Sequence, residues 1–187
     1  MVNFVFGITG TIGSGKEVVK KALAKNFSCY SVSLSSVIQS QMKKIDRKSL
    51  QDMENDLRKR YGSHILAKLA TDYMQKDKEM IIVEDIKNPG EVDYLKKTFG
   101  DKFFLIAVDA SRELRWERIK ARGREGDPKT WEEFLEADER DQGVGEPLHG
   151  QRVRECIQMA DFLIVNEGSL EEVDEKVMKI LKELARK

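Results

Sequence analysis

An apolar, β-rich run at residues 3–9 (NFVFGIT) passes without a break into Gly10-Thr11-Ile12-Gly13-Ser14-Gly15-Lys16, and a helical stretch, residues 16–25, follows at once. This order of strand, glycine loop and helix constrains the chain more than any other feature. Glycine is required where a backbone turns through positive φ and closely approaches a ligand. The amides at the start of the following helix then converge on one spot, and the helix dipole adds positive potential there. The seven residues match the first seven positions of the pattern G-x-x-x-x-G-K-[ST]. The loop therefore implies phosphate binding by the amides of residues 14–16 and by the Lys16 ammonium. A glycine turn without a ligand is the ordinary alternative. The lysine, the strand and the helix, all in place, favour phosphate.

The eighth position departs from the pattern. Glu17 stands where a hydroxyl residue normally ligates Mg²⁺. Its carboxylate suits a helix N-terminus but adds negative charge beside bound phosphates. Three roles stay open: a Mg²⁺ ligand, direct or through water; a side chain turned away while another group holds the metal; or the mark of a loop that binds nucleotide and turns it over poorly.

Strand and helix signals alternate along the rest of the chain. The short run 29–33, the uninterrupted apolar runs 80–84 (MIIVE) and 103–108 (FFLIAV), and 162–165 read as strands, with helical stretches between them. Runs without period-two alternation are expected where both faces of a strand are covered. Helices between strands imply right-handed crossovers and a parallel sheet. The fold class expected is α/β: a three-layer α/β/α P-loop NTPase fold on a five-stranded parallel sheet, with helical acceptor-binding and lid insertions. One domain over residues 1–187 is expected. Two excursions, 33–62 and 122–150, are polar and longer than a crossover needs, as substrate-binding insertions and lids often are. Residues 46–49 read as a break between helices at 34–42 and 50–60. Thr130 with Glu133, and Ser169 with Glu172, have the spacing of capping boxes.

Charge and composition exclude several classes. The 33 basic and 33 acidic residues of the 187 cancel, so bulk charge gives no hold on nucleic acid or an anionic membrane surface. No apolar run is long enough to span a bilayer. Residues 1–10 lack the basic n-region and cleavage site of a signal peptide. Two cysteines, Cys29 and Cys156, make neither a disulfide framework nor a metal cluster. A cytoplasmic location is expected, with no nucleic-acid and no membrane partner. His64 and His149 lack ligand spacing, and Trp116 and Trp131 read as packing residues.

Other residues stand where phosphoryl chemistry needs them. Glu84 and Asp85 end an apolar strand at the ligand edge of an open α/β sheet, where a carboxylate organises metal or activates a hydroxyl. Pattern alone does not choose between them. Arg115, Arg118 and Arg122 recur at helical spacing, and Arg118 and Arg122 are the two expected to meet phosphates. Arg58 and Arg140 are positional candidates for acceptor and lid.

The opening GITGTIGSGKEVV resembles that of dephospho-coenzyme A kinases and of the wider nucleoside monophosphate kinase group. Residues 160–172 (ADFLIVNEGSLEE) resemble the closing strand–turn–helix of the former. Leu57-Arg58-Lys59-Arg60-Tyr61-Gly62, Val83-Glu84-Asp85-Ile86-Lys87, residues 118–127 and Arg140-Asp141 are similar to a poorly characterised kinase-like branch of that group. The resemblance spans nearly the whole chain and is more specific at its ends. It implies ATP- and Mg²⁺-dependent phosphoryl transfer to a small acceptor. In that reading Gly10, Thr11, Ile12, Gly13, Ser14, Gly15, Lys16 and Glu17 hold the nucleotide, and Asn166 and Gly168 lie against its base. Lys16, Asp85, Arg118 and Arg122 carry catalysis. Glu17, Glu84 and Asp85 are the metal candidates. Ser33, Ser36, Arg58, Lys87 and Arg140 face the acceptor. The monophosphate kinases tend to carry an acid and an arginine after the second strand, where this chain has Ser36 and Gln39, and Lys87 takes an arginine's place after the third. The alternative is a nucleotide-binding switch or pseudokinase that acts through a protein partner. Acceptor identity and oligomeric state stay open.

Overall fold

The computed structural model describes residues 3–25, 27–39, 47–75 and 77–186. Five strands form one parallel sheet in the order β2-β3-β1-β4-β5. They are β1 (Phe4–Gly10), β2 (Cys29–Ser33), β3 (Met80–Ile86), β4 (Phe103–Asp109) and β5 (Phe162–Val165). All five expected strands are present. The sheet reverses direction of growth at β1, so the C-terminal ends of β1, β3 and β4 define a crevice, the usual ligand edge of an open α/β sheet.

Alternation along the strands builds the layers. Val5 of β1, Ile81 and Val83 of β3 and Leu105 of β4 point to one face, where they meet α3 (Arg47–Tyr61), α4 (Ile65–Asp72), α5 (Pro89–Phe99) and α8 (Val153–Gln158) through Leu50, Leu66, Val92 and Cys156. Phe6, Ile8, Ile82, Ile106 and Ile164 point to the other, against α1 (Lys16–Ala24) and α9 (Leu170–Leu184) through Val19, Leu23, Val173 and Val177. Burial on both faces is why β3 and β4 read as unbroken apolar runs. A third cluster lies outside the sheet. Ile12 of the glycine loop packs with Ile119 of α6 (Arg112–Arg122) and Phe134 of α7 (Trp131–Gln142), and Trp116 and Trp131 close it.

Two boundaries differ from expectation. Helix α3 begins at Arg47, so residues 47–49 are helical rather than a break. The helix at 34–42 is seen as α2 (Ser36–Gln39); residues 34–35 form a turn before it, and residues 40–42 lie outside the described residues. Ser169 and Glu172 form the reciprocal capping box. Thr130 accepts from the Glu133 amide, but the Glu133 carboxylate turns to the Lys129 amide instead. A further reciprocal box, Asn88 with Glu91, starts α5 with Pro89 in its first turn.

Candidate functional site

The glycine loop joins β1 to α1 and is braced from three sides. Gly13 has φ +78°, and a Cβ there would lie 2.6 Å from the Arg115 carbonyl oxygen. Gly15 has φ +92°, and a Cβ there would lie 2.2 Å from Asn166 Nδ2. Both positions thus need glycine for conformation and for space. Thr11 Oγ1 donates to Asp109 Oδ1 (2.7 Å), which ties the loop to the end of β4. Asn166 Nδ2, just past β5, donates to the Ser14 carbonyl (2.8 Å). Arg115 donates to the Ile12 carbonyl (3.0 Å) and forms a two-pronged pair with buried Asp138 of α7 (2.5 and 3.0 Å). Ser14 Oγ is buried without a hydrogen-bond partner among the described residues.

The Lys16 ammonium donates to the carbonyls of Gly10 (2.9 Å) and Thr11 (3.0 Å). Burial pushes its pKa down to about 8, against the opposing pull of Asp85 and Asp141. This ammonium lines a cavity of about 430 Å³ between the loop, the end of β3, α3 and the 122–141 region.

At the end of β3 the strand carries one extra residue. Gly7 pairs with Val83, but Thr9 pairs with Ile86, so three steps along β3 match two along β1. Within this bulge Asp85 takes φ +60°, the one positive φ outside glycine among the described residues. Bulges re-aim side chains beside functional sites. Here Glu84 and Asp85 separate. Glu84 accepts from Ser31 Oγ (2.6 Å) and pairs with Lys20 (3.2 Å). Asp85 accepts from Ser33 Oγ (2.6 Å). Burial pushes the Asp85 carboxyl up, but Lys16 and Lys87, with the Ser33 hydroxyl, hold it below the usual range. Of the two acids, Asp85 is the one electrostatically coupled to the glycine-loop lysine.

The Glu17 carboxylate is engaged on α1 itself, by Lys20 (2.7 Å) and Lys21 (3.9 Å). Lys20 thus bridges Glu17 and Glu84. Among the described residues no three His, Cys, Asp or Glu side chains gather in a metal-holding group. A Mg²⁺ that travels with nucleotide phosphates needs only one or two protein carboxylates. Asp85 fits that need, because its hydrogen-bond partner is a hydroxyl and not a cation.

The structure brings Gly10, Ile12, Gly13, Gly15, Lys16 and Glu17 to the cavity wall, together with Glu84, Asp85, Lys87, Arg118 and Arg122. Arg118 reaches the Ser14 carbonyl and Asn166 Oδ1 (3.4 Å each). Burial lowers its pKa, against Glu167. Arg122 is clamped by both oxygens of Asp127 (2.8 and 2.6 Å). Other expected residues stand apart from this cavity. Arg58 is fully buried and spent on Glu91, with Nε 2.8 Å and Nη2 2.7 Å from Oε1. Arg140 binds Asp52 and Glu146 (2.7 and 2.8 Å). Ser36 is exposed and bonds back to Ser33, while Ser33 holds Asp85. Thr11, Ser14 and Asn166 brace the loop from outside the cavity wall. Gly168 lies against the Glu172 carboxylate that caps α9. The Gln39 side chain lies outside what is described.

Several residues of the wall were given no site role by the sequence, Arg47, Asp141 and Ser35 among them. Arg47 and Asp141 both line the cavity, with Nη1 of Arg47 3.5 Å from Oδ2 of Asp141. Gln51 Nε2 donates to Asp141 Oδ1 (2.7 Å). Burial pushes the Asp141 carboxyl up, but Lys87, Arg47 and the Gln51 amide hold it below the usual range. The Lys87 ammonium lies on both oxygens of buried Glu54 (3.1 and 2.9 Å), which also takes the Ser35 hydroxyl (2.6 Å) and the Gln151 amide (2.8 Å). Ser35 completes the wall beside them. The one available signal was acids and amides at buried helix positions, Gln51, Glu54 and Asp141.

Comparison with known proteins agrees with this geometry. The AAA domain family profile matches residues 7–142. A UPF0200 protein of Methanothermobacter thermautotrophicus is 32% identical over 184 residues, covering 98% of this chain and 92% of its own. One of Methanocaldococcus jannaschii is 34% identical over 187 residues, covering 96% and 90%. Among solved structures, a shikimate kinase from Bacteroides thetaiotaomicron superposes with TM-score 0.62 at 13% identity (96% and 98% covered). A gluconokinase from Sinorhizobium meliloti superposes with TM-score 0.55 at 14% identity (98% and 94%). At such identities the likeness shows the fold, an α/β P-loop kinase-like architecture.

Proposed function

The chain belongs to the UPF0200 proteins and carries an AAA domain, and from that premise we propose that it transfers the γ-phosphoryl group of ATP to a small molecule. The observation that carries this reading is one cavity lined by both Lys16 and Asp85, with the β3 bulge setting Asp85 apart from Glu84 and the Lys16 charge helping to hold the Asp85 carboxyl low. Nucleotide phosphates draw Lys16 off the Gly10 and Thr11 carbonyls and keep it protonated. Amides at the start of α1 hold the same phosphates. Arg118 and Arg122 meet charge that develops on the transferring group, and Arg122 leaves Asp127 to do so. Asp85 is the residue to hold Mg²⁺, which when bound neutralises phosphate charge. Glu17, neutralised by two lysines, stands aside. The 122–150 region acts as a lid that excludes water, the 33–62 region forms the acceptor wall, and the site of action is the cytoplasm.

The resemblance in sequence supports a nucleoside monophosphate or dephospho-coenzyme A as acceptor. The structural neighbours add shikimate and gluconate as probes. The test is acceptor-dependent ADP formation over AMP, CMP, GMP, UMP, dephospho-coenzyme A, shikimate and gluconate. Lys16→Ala should abolish turnover of any acceptor that responds. Undiminished turnover in that variant would sink the mechanism. The engaged Glu17 supports a second reading, a nucleotide-dependent switch for a protein partner. Tight ATP binding without transfer to any acceptor would favour it.

A further inference from the structure

Two acids of the cavity wall, Glu17 and Glu84, are both turned onto an ammonium that does not itself line the cavity. Lys20 lies one turn further along α1, with Nζ 2.7 Å from Oε2 of Glu17 and 3.2 Å from Oε2 of Glu84. The other oxygen of Glu84 takes the Ser31 hydroxyl (2.6 Å), so the acid that anchors Lys20 is itself tied to β2. A continuous run of contacts thus leads from Ser31 on β2, through Glu84 on β3 and Lys20 on α1, to Glu17. Lys21 also faces Glu17, but at 3.9 Å and with its side chain 73% exposed, so its hold is weak. The Lys20 side chain is 24% exposed and has two anchors, which gives its contact with Glu17 a fixed place.

We infer that Lys20 is a positioning residue for nucleotide binding, which holds the Glu17 carboxylate off the phosphate site of the glycine loop. Glu17 stands in the first turn of α1. The unpaired amides and the dipole there attract a carboxylate for the same reason that they attract a phosphate. A free Glu17 side chain therefore competes with nucleotide from within the chain. Beside phosphates already bound, it adds like charge at short range. A hydroxyl residue at this position would bring neither cost and would need no restraint. Three residues on, Lys20 shares a helix face with Glu17 and can take its charge. Because Glu84 and Ser31 fix the far side of the ammonium, Lys20 keeps the carboxylate in place rather than following it into the cavity. Lys20 acts on the phosphates only through Glu17.

This inference rests on the reading of the loop as a nucleotide site, and a double-mutant cycle separates the two. Calorimetry gives the Kd for ATP of the full chain as parent, Lys20→Met, Glu17→Gln and the double variant, with Mg²⁺ present. In the parent background, loss of Lys20 should raise Kd at least about tenfold, the scale of one uncompensated charge near the phosphates. In the Glu17→Gln background, the same loss should change Kd by less than about threefold. A fixed structural contribution of Lys20 would not vanish with the Glu17 charge. The urea midpoint of each variant reports its folding. Lys20→Gln, also a good helix former, carries the cycle if Lys20→Met does not fold. A Kd within about threefold of the parent on loss of Lys20 alone overturns the inference. So does an equal rise in both backgrounds, which would put Lys20 on the phosphates directly. Both results leave the nucleotide site standing. A parent chain that binds no ATP overturns that reading and the inference together.

Discussion

Lys16 illustrates how far a single residue can be argued. Its pKa of about 8 in the free protein means that much of the population has lost the proton at mildly alkaline pH. Bound phosphates restore the charged form, so through Lys16 nucleotide binding near pH 8.5 should take up about three-quarters of a proton, and binding near pH 6.5 almost none. Calorimetry in buffers of different ionisation enthalpy measures this directly. Equal uptake at both pH values would contradict a Lys16 contact with phosphate. The same depression bears on stability with a definite sign. Between about 8 and 10.5 the unfolded chain holds the proton that the folded chain has lost, so this group's contribution to stability rises with pH across that window. At Glu17 the prediction concerns metal use. Glu17→Ser restores a hydroxyl, and Mg²⁺-dependent ADP formation should increase several-fold, by roughly 1 kcal/mol in the barrier. A fall would instead assign Glu17 a direct part in the site. Lys16 was legible because everything that defines it is local: strand, glycines and helix lie within a short stretch of chain. Arg58 was misleading for the opposite reason. Its spacing suits an acceptor contact, but its partner Glu91 lies 33 residues away and is brought near only by folding.

At the scale of elements, the bulge in β3 and the brace between α6 and α7 do most to place the site. Arg115 and Asp138 are both buried, and the same guanidinium holds the Ile12 carbonyl of the glycine loop. Removing one partner leaves a charge without compensation in the interior. Asp138→Ala should therefore cost about 3–5 kcal/mol in urea unfolding and weaken nucleotide binding as well. A loss below about 1 kcal/mol would show that the pair is not a strut of the loop. All five strands were readable, because two-sided burial writes itself as apolar runs such as MIIVE and FFLIAV. The bulge was not readable. Nothing in Val83-Glu84-Asp85-Ile86 announces an extra residue, and its effect depends on the register against β1. That is also why pattern alone did not separate Glu84 from Asp85. The capping box at Ser169 was legible from spacing. The start of α3 at Arg47 was hidden by its polar first turn.

Across the whole molecule, the cancelling charge of 33 against 33 reappears inside it. Glu54, Asp85 and Asp141 are buried acids that burial alone would push up, and neighbouring cations hold all three below the usual range. Their stabilising share is present above the unfolded carboxylate values of 3.8 to 4.5 and is lost as pH falls through the lower folded values. The urea midpoint should stay nearly level from about pH 7 to about 5 and fall steeply below about 4. A midpoint unchanged at about pH 3 would remove these acids from the account of stability. The brace from Asn166 to the Ser14 carbonyl has a consequence of another kind. A ribosome makes the glycine loop long before its brace, since Asn166 follows Ser14 by 152 residues. Between the two, β1 waits for both of its sheet neighbours, β3 and β4, to be synthesised. A nascent chain that stops before β5 therefore carries the whole glycine-loop sequence with its final support missing. Nucleotide capture in that sense waits for β5, and bound nucleotide reports that Asn166 is in place.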